Sequence, residues 1–428
     1  MNTKALKGFK DILPDEVGIW QRIETTARDI FHRFGFAEIK VPILEKTELF
    51  ARSIGEATDI VEKEMYTFTD RNGESITMRP EGTAAVLRAF IEHSLHARLP
   101  VQKLYTIGPM FRHERPQKGR LRQFHQLSCE VLGSDQPRLD AEVIAMAWLL
   151  LNELGLAVSL EINSLGCPQC RPQFKETLVN FLADRAGKLC DDCERRRHTN
   201  PLRVLDCKSS HCQEQYVAAP SIIDHLCDDC EAHFATVKES LGTLAIPYKV
   251  NSFMVRGLDY YNRTTFELVT DALGAQSAVG AGGRYDGLVE QLGGPALPGI
   301  GFAMGMERLV LLLQQQEDET TTGPATDLFI AALGEAAQQL AFPMLHSLRQ
   351  TGLRANMDLE GRSLKSQMKQ AGRANAAFTL ILGEDEMARG VALLRNMDNR
   401  EQEEIELPTE LTPWCQALAE RITSSFKF

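Results

Sequence analysis

Residues 78–130 read MRPEGTAAVLRAFIEHSLHARLPVQKLYTIGPMFRHERPQKGRLRQFHQLSCE. The run Ser75-Ile76-Thr77-Met78 leading into them alternates as a strand does. On that reading Glu81 and Thr83, two residues apart, send a carboxylate and a hydroxyl from one face. Tyr105 to Arg112 is a second strand ending on an arginine. His113 to Arg122 is a polar loop with Arg115, Lys118, Arg120 and Arg122 against a single acid, Glu114. It contains Pro116 and Gly119, as a hairpin loop requires. Phe124 to Val131 is a third strand with Phe124, Gln126, Ser128 and Glu130 on one face. Arginines suited to bidentate phosphate contacts beside a polar strand face predict an anion site next to a polar pocket. A hairpin with a merely solvated loop competes with this. The spacing of Gln126 and Glu130 favours a pocket, because an ordinary core strand carries apolar residues there.

The chain has 428 residues, enough for two or three domains. Its 43% hydrophobic and 25% charged content is that of an ordinary globular protein. A formal net charge of −11 argues against a general nucleic-acid coat. It does not exclude a selective enzyme with a local basic patch. Met1 to Gly8 lacks a signal peptide's apolar run, and no apolar run is long enough to span a membrane. A cytoplasmic location is therefore expected.

Before the central stretch, apolar positions from Val17 to Phe31 recur at helical spacing, and Gly35 closes that helix. Gly35 to Leu44 is predicted as a strand carrying Pro42, hence an edge or bulge. Glu62 to Gly73 is predicted as a strand running into a turn. After it, 138–155 is a helix and Val158 to Asn163 a strand. Val255 to Glu267 packs Arg256, Tyr260 and Tyr261 densely. In Ala281-Gly282-Gly283-Arg284-Tyr285 the paired glycines predict close approach of backbone to a ligand or a tight turn. Gly299 to Leu309 is a glycine-rich strand running into a helix. Arg308 in its first turns opposes the helix dipole and so requires an anionic partner or ligand. Residues 319–326 are apolar-poor and read as a linker. From 327 to 428, strands and helices alternate as in a small α/β domain with mostly parallel pairing.

Residues 167–240 differ from their surroundings. They hold eight of the ten cysteines, Cys167, Cys170, Cys190, Cys193, Cys207, Cys212, Cys227 and Cys230. Repeated Cys-x-x-Cys is a zinc signature, and eight thiolates are enough for two ions. Disulfides, disfavoured in a reducing cytosol, and thiols that bind nothing compete with that reading.

Arg79-Pro80-Glu81-Gly82-Thr83 and Gly108-Pro109-Met110-Phe111-Arg112-His113-Glu114-Arg115-Pro116 resemble class II aminoacyl-tRNA synthetases of the bacterial histidyl type. The Phe-Arg-x-Glu element is that family's second motif. Residues 17–44 resemble its first, dimer-forming motif, and Gly299 to Leu309 its third. Val255 to Glu267 and Ala281 to Leu288 resemble the two signatures of histidyl enzymes. The resemblance implies an α/β multi-domain protein with an antiparallel-sheet catalytic core (1–166 and 241–318). It further implies a Cys-rich insertion (167–240) and a C-terminal anticodon-binding domain (327–428). It implies a homodimer that joins histidine to ATP with magnesium, forms histidyl-adenylate, and passes histidine to its tRNA. Arg112 and Arg256 would flank the α-phosphate; Arg120 and Arg308 would hold the remaining triphosphate; Phe124 and Arg308 would sandwich the adenine. Glu130 and Tyr261 would read the imidazole, Glu81, Thr83 and Gln126 the α-ammonium, and Tyr285 would line the pocket. Arg115 and Gln117 would approach the acceptor stem. Zinc is not implied, since many similar synthetases lack these cysteines. The alternative is the synthetase-like regulatory subunit of ATP phosphoribosyltransferase. It usually lacks the last domain and some signature residues, all of which are present here.

Overall fold

The computed structural model describes residues 3–55, 58, 60–207, 209–255, 258, 260–273, 278–316 and 326–425. The chain forms two compact units, Met1–Gln316 and Glu317–Phe428. The strands of the first are β1 (Ala37–Glu38), β2 (Leu44–Lys46), β3 (Tyr66–Thr69), β4 (Ser75–Met78), β5 (Gln102–Phe111) and β6 (Gln123–Leu132). They continue with β7 (Ser159–Ser164), β8 (Tyr248–Val250), β9 (Asn262–Val269), β10 (Ala278–Arg284) and β11 (Gly299–Gly305). One eight-stranded sheet runs β1-β5-β6-β11-β10-β9-β7-β8. Its six inner strands pair antiparallel, while β1 and β8 add in parallel at the edges.

Alternation along β6 divides the two faces of this sheet. Leu127, Cys129 and Val131 enter a core shared with Ile300 and Met304 of β11. Helix Val17–Arg33 covers that face through Trp20, Ile23, Ala27, Ile30 and Phe31, which recur at helical spacing. Helix Pro137–Glu153 adds Ile144, Ala147 and Leu151. On the other face β11 is stripped to small residues, and the packing explains why. A Cβ at Gly301 would collide with the Glu130 carboxylate, and one at Gly299 with the Tyr285 ring.

A buried polar node ties the layers together. Arg284, fully buried at the end of β10, donates from Nε to Asp140 Oδ2 at 3.0 Å. It also pairs with Asp286 at 3.0 Å. His233 reaches the same Asp140 at 2.8 Å from helix Asp228–Thr243. Burial works against the charge, but Asp140 and Asp286 outweigh it and hold the Arg284 guanidinium above its ordinary pKa.

Several local expectations are corrected. The strand predicted over Gly35 to Leu44 is only the two residues of β1 and, past Pro42, the start of β2 in a separate three-stranded sheet, β2-β4-β3. Arg79 replaces the missing ladder there. Its guanidinium donates to Val41 O at 2.9 Å and Pro109 O at 2.9 Å. Glu62 to Gly73 begins in a helical turn, Ile60–Glu64, and is strand only over β3. Glu81 and Thr83 leave no strand face: β4 ends at Met78 and Thr83 opens helix Thr83–Glu92. Gly282 and Gly283 form no turn. They lie inside β10, hemmed by Gly301 O, Phe302 and Thr264 O, where a side chain has no room.

Residues 167–240 fold as short helices, including Arg171–Ala183, Asp191–Thr199 and Ser210–Tyr216. Phe174, Leu178, Leu182 and Cys193 share one apolar cluster with Leu87, Tyr261 and Tyr285. This segment is thus packed onto the cavity wall described below.

The second unit has its own sheet, β13-β12-β14-β15-β16, with β12 (Thr326–Ala332), β13 (Ala355–Met357), β14 (Ala376–Leu382), β15 (Val391–Asn396) and β16 (Gln402–Glu406). β12 pairs in parallel with β13 and β14, as alternation with helices predicts, but β14-β15-β16 is antiparallel. The expected mostly parallel sheet is therefore mixed: residues 397–401 form a tight connection from β15 to β16, and the link from β14 to β15, through helix Glu384–Arg389, is too short for a parallel crossover. No helix among the described residues is long and apolar enough to cross a membrane.

Candidate functional site

The open face of the large sheet carries a cavity of about 290 Å³. Ten of the residues singled out in the sequence line it: Glu81, Thr83, Arg112, Arg120, Phe124, Gln126, Glu130, Tyr261, Tyr285 and Arg308. Phe124, Gln126 and Glu130 lie on β6, Arg112 and Arg120 in the loop after β5, Glu81 and Thr83 at the start of helix Thr83–Glu92, Tyr261 just before β9, Tyr285 just after β10 and Arg308 in helix Met306–Gln316, so only the folded chain assembles them. Arg115 and Gln117 do not line it; both are exposed on the loop. Arg256 lies outside the described residues.

One half of the cavity is acidic and aromatic. Glu130 is buried; its Oε1 accepts from Thr83 Oγ1 at 2.7 Å and its Oε2 from the Tyr285 hydroxyl. Burial pushes its carboxyl up to about 8, against the two donors and helped by Glu81. Glu81 accepts from the backbone N–H groups of Thr83 and Ala84, each at 2.8 Å, and so caps the helix it precedes. Burial raises its pKa too, against those two donors. Gln126 Oε1 is buried without a hydrogen-bond partner among the described residues. Two buried carboxylates and an orphaned acceptor demand a ligand rich in N–H donors.

The other half is cationic. Arg112, Arg120 and Arg308 all have pKa values lowered, in each case chiefly by burial. Repulsion from Arg120 and Arg112 adds to the shift at Arg308. Like charges gathered at one end of a cavity call for a multiply charged anion. Phe124 offers an aromatic face, with Arg112 Cζ 5.3 Å from its centroid. Arg112 donates from Nε to Pro80 O at 2.8 Å and is felt electrostatically by Glu81, so it stands where the two halves meet. Nor is the loop a free solvated hairpin. Glu114 is buried and pairs with Arg120, and Gly119, Arg120 and Leu121 line the cavity.

Sequence reading gave no role to three participants. Tyr260 lines the cavity, its ring 4.6 Å from Tyr261 and 5.8 Å from Tyr285. Its place in the Tyr-Tyr pair was visible, but periodicity in a loop does not tell which tyrosine faces inward. Glu267 lines the cationic half. Glu307 accepts from the His125 backbone N–H at 2.9 Å and braces β6 beside Arg308.

The cysteines form two groups that could hold a metal ion: Cys167, Cys170, Cys227 and Cys230, and Cys190, Cys193, Cys207 and Cys212. The outermost pairs meet each other and enclose the inner four. All ten cysteines are free. Neighbouring sulfurs lie 3.4–3.9 Å apart, far beyond a disulfide bond.

Residues 8–309 match the family model described as histidyl-tRNA synthetase, and 327–416 the model described as an anticodon binding domain. The chain is 62% identical over 408 residues to a histidine–tRNA ligase of Desulfotalea psychrophila, covering 95% of this chain and 94% of that one. It is 58% identical over 420 residues to that of Geobacter sulfurreducens, covering 98% and 99%. Among solved structures it resembles the apo histidyl-tRNA synthetase of S. aureus, with TM-score 0.79, 38% identity, and 98% and 100% of the two chains covered. The fold is also that of an ATP phosphoribosyltransferase regulatory subunit/histidyl-tRNA synthetase from Bacillus halodurans C, with TM-score 0.64, 20% identity, and 89% and 98% covered. With a cavity that pairs an acidic aromatic half with a cluster of arginines, and matched along almost its whole length by that family's model and relatives, this chain belongs to the histidyl-tRNA synthetase family.

Proposed function

We propose that the cavity activates histidine with ATP and that the enzyme then passes histidine to the terminal adenosine of its tRNA. The observation that carries this is the division of one cavity into a half fit for an amino acid with a ring N–H and a half fit for a polyphosphate. Histidine supplies the donors the acidic half lacks. Its α-ammonium meets Glu81 and Gln126 Oε1, and its imidazole lies between Glu130 and Tyr261, with Tyr285 holding the Glu130 carboxylate in place. An amino acid without ring nitrogens adds no N–H donor to the Thr83 and Tyr285 hydroxyls that already reach the buried Glu130, which is the basis of selection.

ATP enters as its magnesium complex, toward Arg120 and Arg308. Glu114 and Glu267 there offer the hard oxygens magnesium takes. Arg112, beside Glu81, faces both the histidine carboxylate and the α-phosphate. It neutralises charge as one anion attacks the other. The carboxylate oxygen forms the new bond to phosphorus, and pyrophosphate leaves with its electron pair. No side chain need act as a base, because the nucleophile is already ionised. By resemblance Arg256 takes the opposite side of that phosphate, and Arg115 and Gln117 meet the acceptor stem.

The cysteine groups hold zinc. A tetrahedron with Zn–S of about 2.3 Å has edges of about 3.8 Å, close to the sulfur spacings seen. Residues 167–240 are the insertion, 327–428 read the anticodon, and the enzyme works in the cytoplasm. A second copy of the chain covers the three-stranded sheet, where Ile43, Leu44 and Phe68 are exposed at 40%, 47% and 47%. Histidine-dependent ATP–pyrophosphate exchange against a panel of amino acids tests the activation step. Exchange with histidine alone is the expected result; none from folded, magnesium-supplied protein would overturn it. Sedimentation as a monomer would refute the dimer.

A further inference from the structure

The first thiol group stands at the neck of the Cys-rich segment, where the chain leaves β7 and where it re-enters. It also grips the strand that presents Tyr261. Leu165 N donates to Arg263 O at 2.7 Å, and Arg263 N donates to Gly166 O at 2.9 Å. Arg171, next to Cys170, donates from Nε to Leu165 O at 3.2 Å and from its other end to Tyr261 O. Cys170 N and Arg171 N both donate to Cys167 O, at 3.1 and 3.2 Å, so the thiol loop and Arg171 form one turn.

What they grip is an irregular piece of strand. Arg263 has φ +46°, a left-handed conformation that costs a non-glycine residue energy and persists only where neighbours enforce it. The β9–β10 register slips there: Thr265 faces Gly283 but Asn262 faces Arg284. Such a bulge re-aims the side chains beside it, and here the side chain beside it is Tyr261.

We propose that the metal site of Cys167, Cys170, Cys227 and Cys230 acts, through Arg171, as a clamp that sets the position of Tyr261 in the histidine half of the cavity. The proposal rests on the zinc reading and on the histidine reading of the cavity. Arg171 is a positioning residue; it touches neither substrate. The second thiol group has no such bond to the Tyr261–Arg263 backbone among the described residues; what Cys207 O accepts is the Tyr216 hydroxyl, at 2.8 Å.

The test uses the full-length, zinc-loaded enzyme. Arg171→Ala should keep two zinc ions per chain by metal analysis. Its KM for histidine and its histidine Kd by calorimetry without ATP should both rise about tenfold, the scale of losing a partner that orients a ligating group. KM for ATP should stay near the parent value. Arg171→Lys, which keeps a cation and one donor, should fall between the two. Cys170→Ser should lose one of the two zinc ions and weaken histidine binding as Arg171→Ala does. Cys193→Ser should lose the other ion with a smaller effect on histidine. Unchanged histidine affinity in Arg171→Ala overturns the clamp, as does an equal rise in KM for both substrates, which would be general loosening. Chelator-free protein containing no zinc overturns the metal link and the zinc reading together. Absence of histidine-dependent exchange in the parent enzyme refutes the histidine reading instead.

Discussion

At the scale of residues, Glu130 carries the clearest consequence. Burial pushes its carboxyl up to about 8, which favours the protonated form at neutral pH. The ionised carboxylate is the stronger acceptor for an imidazole N–H, so tight histidine binding should expel that proton. Histidine affinity should therefore rise by up to about tenfold per pH unit between about pH 6.5, where free imidazole becomes neutral, and pH 8, then level off. Glu130→Gln should bind weakly and lose this slope; a KM for histidine flat across that range in the parent enzyme would refute the coupling. The linked effect on stability follows from the same raised pKa. The folded state holds the proton more tightly than the unfolded, so the contribution is complete below about 4.5 and lost as pH rises through about 8. Gln126 and Glu130 were legible as candidates because polar residues at alternate strand positions contradict a core strand; Glu81 and Thr83 were singled out on a strand reading that the helix starting at Thr83 overturns. That Glu81 caps a helix was not legible, since the turn at Pro80-Gly82 decides its direction.

At the scale of elements, β11 and the Arg284 node are the most exposed to substitution. Gly301 faces the Glu130 carboxylate and Cys129 O across the sheet. Gly301→Ala should cost about 1–3 kcal/mol by overpacking and raise KM for histidine more than that for ATP. Denaturant titration and exchange kinetics check the two halves of that statement. Asp140→Ala leaves the buried Arg284 with only the partly exposed Asp286 as its ion-pair partner among the described residues, so it should lose about 3 kcal/mol of unfolding free energy, measured by chemical denaturation. β6, its neighbour β5 and the helix Val17–Arg33 could be read from their periods. The strand predicted over Gly35 to Leu44 could not, because its pairing depends on partners remote in sequence. Ala37 pairs with Leu104, while Leu44 pairs with Met78 in another sheet.

At the scale of the molecule, the two units have separate cores. Leu328, Ile330, Leu345 and Leu380 close the second without residues of the first. Protein ending near residue 316 should therefore fold and retain histidine-dependent pyrophosphate exchange, while charging of tRNA falls steeply. Loss of exchange along with charging would show that the second unit supports the first step as well. The sequence alone determined the family, through the resemblance of Arg79 to Thr83, Gly108 to Pro116, Val255 to Glu267 and Ala281 to Leu288 to that family's motifs. It also marked the cysteine pairs, because Cys-x-x-Cys is a local grip on one ion. Only the tertiary structure decided that the outer pairs meet across 60 residues and enclose the inner four. It likewise decided that Glu114 folds inward onto Arg120, and that Tyr260 shares the cavity with Tyr261. Local pattern reports which way a residue points relative to its neighbours in the chain. Which groups share one desolvated space is set by long-range sheet register, to which no single stretch of sequence contributes more than one strand.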